Sequence, residues 1–162
     1  MNSDIPPFYE EHARWELYVD GASRNNPGPA GAGFYLLKDG KAVEKQGMYL
    51  GKKTNNQAEY LALLLGVYFA QNHMAPGDTL VIKADSELMV RQINGIYKIK
   101  NVELARMHSV IRKMLDVLKF TMVHVRREEN EIADKLANEG IDKKIQVPRE
   151  LLLVWPIYEN AF

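Results

Sequence analysis

The hydrophobic period of this chain first changes near Asn56, and that change constrains the fold more than any other feature. Upstream, apolar residues alternate with polar ones. Trp15, Leu17 and Val19 fall on one face and Tyr18 on the other, which predicts a strand over residues 15–20. Residues 30–37 and 42–50 read as two more strands, with Lys38-Asp39-Gly40-Lys41 as the hairpin turn between them. Residues 21–29 (GASRNNPGP) read as a turn by composition. From Asn56 onward, Leu61, Leu64, Leu65, Tyr68 and Phe69 recur at helical spacing, predicting a helix to about His73.

Pro76-Gly77-Asp78 breaks the helix, and residues 80–84 form a short apolar strand. Residues 86–93 and 102–118 read as helices, the second with an apolar stripe of Leu104, Met107, Ile111 and Leu115. Residues 120–125 are a fifth strand and 131–138 a last helix. The predicted order is β-β-β-α-β-α-α-β-α. Three strands joined by tight turns form an antiparallel meander, and strands four and five each follow a helix and join in parallel. The expected fold is therefore α/β, one mixed five-stranded sheet flanked by helices. A length of 162 residues, with 46% hydrophobic and 26% charged, fits one domain and excludes a disordered chain or a collagen-like repeat. The expected boundaries are an N-terminal extension over 1–14, the domain over 15–144, and a tail over 145–162. The tail run Leu151-Leu152-Leu153-Val154-Trp155 is too apolar for water and is expected to pack back on the domain.

With no cysteine, the chain has no disulfide, no thiolate metal site and no cysteine nucleophile. No apolar run approaches the roughly 18 residues of a membrane span, and the acidic N-terminus has no signal-like apolar block. A cytoplasmic protein without membrane contact is expected. Net charge is zero, yet residues 91–127 hold nine Lys/Arg against two Asp/Glu, a local excess of +7. Such asymmetry marks either solvated helix faces or a surface that meets polyanions.

Four acids stand out by position. Asp20 and Asp85 end the first and fourth strands, Glu59 opens the first long helix, and Asp134 opens the last. Ligands of α/β sheets gather at such strand ends and helix starts. If strands one and four are neighbours, Asp20 and Asp85 stand side by side beneath Glu59. Such a group of carboxylates repels itself unless a cation intervenes, and an all-oxygen donor set suits Mg²⁺ or Mn²⁺. Each acid also has an ordinary reading. Asp20-Gly21 fits a turn, Asn56 to Glu59 a capping box, Asp85 an N-cap and Asp134 a surface position. The glycines of Gly28-Pro29-Ala30-Gly31-Ala32-Gly33 precede a strand, not a helix, so they allow close approach of strands or a ligand rather than forming a dinucleotide loop. The four histidines (His12, His73, His108, His124) show no metal-ligand spacing.

Several motifs in order carry a resemblance. Tyr18-Val19-Asp20-Gly21-Ala22-Ser23, Asn26-Pro27-Gly28, Thr54-Asn55-Asn56-Gln57-Ala58-Glu59-Tyr60, Asp85-Ser86 and Asn130-Glu131-Ile132-Ala133-Asp134-Lys135-Leu136-Ala137 resemble the successive motifs of type 1 ribonuclease H. The resemblance spans residues 16–144. It implies a ribonuclease H-like sheet of strand order 3-2-1-4-5 with strand 2 antiparallel. It also implies metal-dependent endonucleolytic hydrolysis of the RNA strand of RNA/DNA hybrids, leaving 5′-phosphate and 3′-hydroxyl ends. By the same resemblance Asp20, Glu59, Asp85 and Asp134 are the catalytic carboxylates and hold two Mg²⁺ or Mn²⁺ ions. Asp20 would bridge both ions, Glu59 and Asp85 would hold one, and Asp134 would help hold the other. Asn26, Asn55 and Asn56 match positions that touch sugars and minor-groove edges, as an RNA-containing helix invites. Lys98 and Lys100 would contribute phosphate contacts.

The sequence departs from many family members at three places. Residues 125–130 are too short for a histidine-bearing loop, so no catalytic histidine is transferred, and Glu128 or Glu129 is only a speculative substitute. Residues 95–101 are short where many members carry a basic protrusion. Glu87 replaces a neutral residue and adds negative charge near the substrate. A monomer with no obligate protein partner is expected. Two other activities fit the same fold: a non-catalytic nucleic-acid-binding module, and a nuclease that also cuts double-stranded RNA.

Overall fold

A computed structural model of the protein describes residues 11–154. Its strands and helices follow the predicted order: β1 (Arg14–Ser23), β2 (Gly28–Lys38), β3 (Lys41–Lys53), α1 (Asn55–His73), β4 (Thr79–Ala84), α2 (Glu87–Ile93), α3 (Val102–Asp116), β5 (Lys119–His124), α4 (Glu131–Lys143) and α5 (Arg149–Val154). A single 3-10 turn, Arg127–Glu129, precedes α4. The five strands form one sheet of order β3-β2-β1-β4-β5. The β1/β2 and β2/β3 pairs are antiparallel, and β4 runs parallel to β1 and β5. The predicted hairpin turn is present. Asp39 and Gly40 both take positive φ (48° and 80°), as a two-residue turn matched to the sheet twist requires.

Alternation in β1 decides which face each helix covers. Trp15, Leu17 and Val19 are buried against α1, where Gly66 lets the helix come close to Leu17 and Val19. Helix α1 is then covered by α3, which explains why Leu61 through Leu65 are all buried rather than one stripe alone. The four predicted stripe residues of α3 are its four buried ones. The opposite face of the sheet receives α4. A Cβ at Gly31, Gly33 or Gly47 would lie 2.1–2.2 Å from a carbonyl oxygen of α4. These glycines therefore admit a helix, not a neighbouring strand or a ligand.

Three sequence expectations need correction. Residues 21–23, read as turn, continue β1 and pair with residues 30–32 of β2. Helix α4 runs to Lys143 instead of ending near Asn138. The short helix α5 was not foreseen. In the tail, the Tyr49 amide donates to the Ile145 carbonyl at 2.6 Å, and Leu151 is fully buried. Trp155 lies outside the described residues. Among those residues, no helix is long and apolar enough to cross a membrane.

Candidate active site

The parallel pairing of β1 and β4 places Val19 opposite Ala84, so the next residues, Asp20 and Asp85, leave the sheet side by side. Helix α1 supplies the third acid. Its start is capped by Thr54, whose hydroxyl accepts from the Gln57 amide at 3.1 Å while the Gln57 side chain accepts from the Thr54 amide at 2.9 Å. The capping box expected at Asn56 and Glu59 is therefore two residues earlier, and Glu59 is free of it. Likewise Ser86, not Asp85, caps α2, accepting from the Met89 amide at 3.2 Å. The side chains of Glu59 and Asp85 thus have no capping role.

Glycine decides how closely Glu59 approaches Asp20. A Cβ at Gly21 would lie 2.2 Å from the Ala58 carbonyl carbon, so only glycine lets β1 run against the first turns of α1. The Gly21 amide donates to Glu59 Oε2 at 3.2 Å. As a result, one carboxylate oxygen each from Asp20, Glu59 and Asp85 lie within 4.8 Å of one another. Asp134 lines the same cleft from α4, together with Asn55, Asn56, Ser86 and Arg127.

Charge in this cleft is strongly uncompensated. Burial, and then the charges of Glu59 and Asp85, push the Asp20 carboxyl from 3.8 up to about 10. Burial pushes Glu59 from 4.5 up to about 8, against the opposing pull of hydrogen bonds from Asp20 and Gly21 and of the Arg127 charge. A divalent cation held by these carboxylates would favour their ionised forms and so offset both shifts. The donor set is oxygen only, so it suits hard Mg²⁺ or Mn²⁺ and not a thiolate-preferring metal.

The substrate-side residues divide. Asn55 and Asn56 face the carboxylate cleft. Asn56 also lines an adjoining groove with Lys98, Lys100, Tyr97 and Ile96. Asn26 Oδ1 accepts from the Asn55 amide at 2.8 Å, so half of that side chain is committed to holding the start of α1. Glu87 is paired with Arg91 at 2.9 Å, which offsets its charge. Glu128 and Glu129 line a different cleft with Tyr18 and Tyr35, and Glu129 pairs with Arg126 at 3.0 Å. Neither lines the carboxylate cleft as a substitute for a loop histidine. His124 Nε2 lies 3.2 Å from the Asp85 carbonyl.

The chain is similar to known proteins over most of its length. A family model described as "Reverse transcriptase-like" matches residues 18–140. Ribonuclease H of Pseudomonas putida strain W619 is 31% identical over 141 residues, covering 79% of this chain and 93% of that protein. The chain belongs to the type 1 ribonuclease H family. Ribonuclease HI of Halobacterium salinarum is 39% identical over 131 residues, or 80% of this chain, which spans only 65% of that protein's length. Among solved structures, LC11-RNase H1 in complex with RNA/DNA hybrid superimposes with a TM-score of 0.75 at 36% identity, covering 80% of this chain and 97% of that one. LC11-RNase H1 was isolated from compost by a metagenomic approach.

Two residues at this ribonuclease H cleft escaped the sequence reading. Arg127 lines it from the 3-10 turn; in the sequence it is only the last of the nine basic residues of the 91–127 stretch, with nothing to single it out. Asn130 donates to Asp85 at 3.3 Å; at a helix start it reads simply as a cap.

Proposed function

We propose that this chain is a metal-dependent endonuclease that hydrolyses the RNA strand of RNA/DNA hybrids, leaving 5′-phosphate and 3′-hydroxyl ends. The observation that carries this reading is the convergence of Asp20, Glu59 and Asp85, whose carboxylate oxygens lie within 4.8 Å, in a member of the ribonuclease H family. Asp20, Glu59, Asp85 and Asp134 are the residues that would hold two Mg²⁺ or Mn²⁺ ions. When bound, such ions supply Lewis-acid chemistry, generating a nucleophile from water and stabilising the departing oxygen.

The chain's own groups do the rest. The Gly21 amide fixes Glu59 in place. Arg127 brings positive charge to a cleft that is otherwise acidic, which favours an approaching phosphate. Asn55 and Asn56 present amides to the shallow minor groove of an RNA-containing duplex, where sugars and 2′-hydroxyls are within reach. Lys98 and Lys100, in the groove that shares Asn56, bind phosphates without reading sequence. The test is a cleavage panel of end-labelled RNA/DNA hybrid, double-stranded RNA, single-stranded RNA and double-stranded DNA, with Mg²⁺ or Mn²⁺. Cleavage of the hybrid's RNA strand with 3′-hydroxyl products supports the reading. Cleavage of double-stranded RNA but not hybrid replaces the substrate, and binding of hybrid without cleavage replaces the enzyme with a binding module.

A further inference from the structure

We infer that Asn130 is a positioning residue that ties the supports of three carboxylates together, in place of its ordinary role as a helix cap. The inference rests on the ribonuclease reading above. Asn130 stands at the head of α4, where an asparagine side chain ordinarily accepts from an amide of the first turn. Here it makes no such bond. It is 1% exposed, and its amide nitrogen donates to the Val19 carbonyl at 2.9 Å and to Asp85 Oδ2 at 3.3 Å. Both partners are pure acceptors, so the nitrogen must be the atom that faces them.

The reach of this one side chain matches the layout of the site. Val19 is the residue before Asp20 on β1. Asp85 follows β4 and is held directly. The third acid, Asp134, stands one turn along α4 from Asn130, its amide donating to the Asn130 backbone carbonyl at 3.1 Å in the ordinary helical bond, so the side chain reaches it only by anchoring the head of the helix. Strand β1, the end of β4 and the head of α4 are thus pinned to one another at a single buried amide. The arrangement is expensive. The first turn of α4 forgoes its side-chain cap, and Asn130 Oδ1 is the only buried side-chain polar atom without a partner among the described residues. Partners that orient metal-holding carboxylates typically change metal affinity or activity by roughly 10–100-fold when removed.

The experiment compares the parent with Asn130→Ala and Asn130→Ser. Each is titrated calorimetrically with Mg²⁺ or Mn²⁺ alone, melted without metal, and assayed for kcat and KM on RNA/DNA hybrid. The expected result is a loss of roughly 10–100-fold in metal affinity, a comparable fall in kcat, and a KM within about twofold of the parent. Serine caps a helix well, so Asn130→Ser is expected to melt above Asn130→Ala while showing the same loss of affinity. It also carries the test if Asn130→Ala does not fold. Parental metal affinity and kcat in a folded variant, with only a lower melting temperature, would overturn the inference and leave Asn130 a structural residue. A parent that neither binds metal nor cuts hybrid would instead overturn the ribonuclease reading itself.

Discussion

Replacing Gly33 with alanine is expected to damage the candidate active site from the far side of a helix. Gly33 lies on β2, under α4. A Cβ there would sit 2.2 Å from the Ala133 carbonyl oxygen, 2.5 Å from the Ala137 amide nitrogen and 3.0 Å from Leu136 Cβ. Restoring an ordinary contact of 3.4 Å requires α4 to retreat by about 1.2 Å. Ala133 precedes Asp134, so the retreat carries that carboxylate away from Asp20. Overpacking of this kind costs about 1–3 kcal/mol, or a fall of about 2–12 °C in Tm for a domain of this size. A misplacement of about 1 Å in a site costs up to about 100-fold in rate. The assay is kcat for hybrid cleavage, taken well below the melting transition, beside a thermal melt. Gly40→Ala is the comparison. Its φ of +80° also penalises a side chain, but a Cβ there meets nothing within 4 Å, and the β2/β3 turn lies at the other end of the sheet from Asp20. It should lose stability and keep its kcat. If Gly33→Ala keeps parental kcat, or if the two variants lose activity in parallel, the argument from helix approach to carboxylate placement is wrong.

Three further outcomes follow from the same structure. The folded pKa of Asp20 is raised, so its contribution to stability is fully present below about pH 4 and is lost as pH rises toward its folded value of about 10. Asp20→Asn removes that penalty: without metal it should melt above the parent at pH 8 and level with it near pH 4, while cleavage is abolished, and equal melting at pH 8 would refute this. Asp78 behaves oppositely. Burial alone would raise its pKa, but donors from the Ala75 amide, the Trp15 indole and the Ala13 amide outweigh it and hold the carboxyl below its ordinary value. Its stabilisation is present above about pH 4 and is lost as pH falls through the lowered folded pKa. Asp78→Ala should cost about 3 kcal/mol at pH 7 and flatten the acid side of a melting-temperature profile, and an unchanged profile would refute the assignment. Ending the chain after Lys144 removes the buried Leu151 and the Tyr49–Ile145 hydrogen bond. The burial lost is about 1.5–3 kcal/mol, so Tm should fall by about 3–12 °C; an unchanged Tm would assign the tail to something other than stability.

Much of this was legible in the sequence because periodicity and turn chemistry are local. The change of period near Asn56 located the meander and the first helix. The stripe Leu104, Met107, Ile111, Leu115 was read correctly because α3 has one buried side and one wet one. Helix α1 was less transparent. It is covered by the sheet and by α3, so no single stripe distinguishes its faces. Strand positions put Asp20 and Asp85 at strand ends, and side by side once the family resemblance made strands one and four neighbours, but the approach of Glu59 depends on Gly21 meeting Ala58, a contact 37 residues apart in the chain. The glycines of β2 announced a close approach without naming the helix that makes it, since α4 lies about 100 residues downstream. Arg127 and Asn130 were missed for a different reason. One was only the last of nine basic residues in a charged stretch and owes its place at the cleft to a 3-10 turn, and the other, though it opens the last motif, has a side chain that abandons the local bond its sequence position favours.

The carboxylates of this cleft are expected to work as one metal-dependent cutting site. This is tested most directly by single-turnover cleavage of an end-labelled RNA/DNA hybrid by parent and Asp20→Asn protein, with Mg²⁺ and after chelation. The parent is expected to cleave the RNA strand with Mg²⁺, to stop after chelation and to recover when Mg²⁺ is returned, while Asp20→Asn cuts under none of these conditions. Cleavage by Asp20→Asn at the parental rate, or cleavage by the parent that survives chelation, would contradict this expectation.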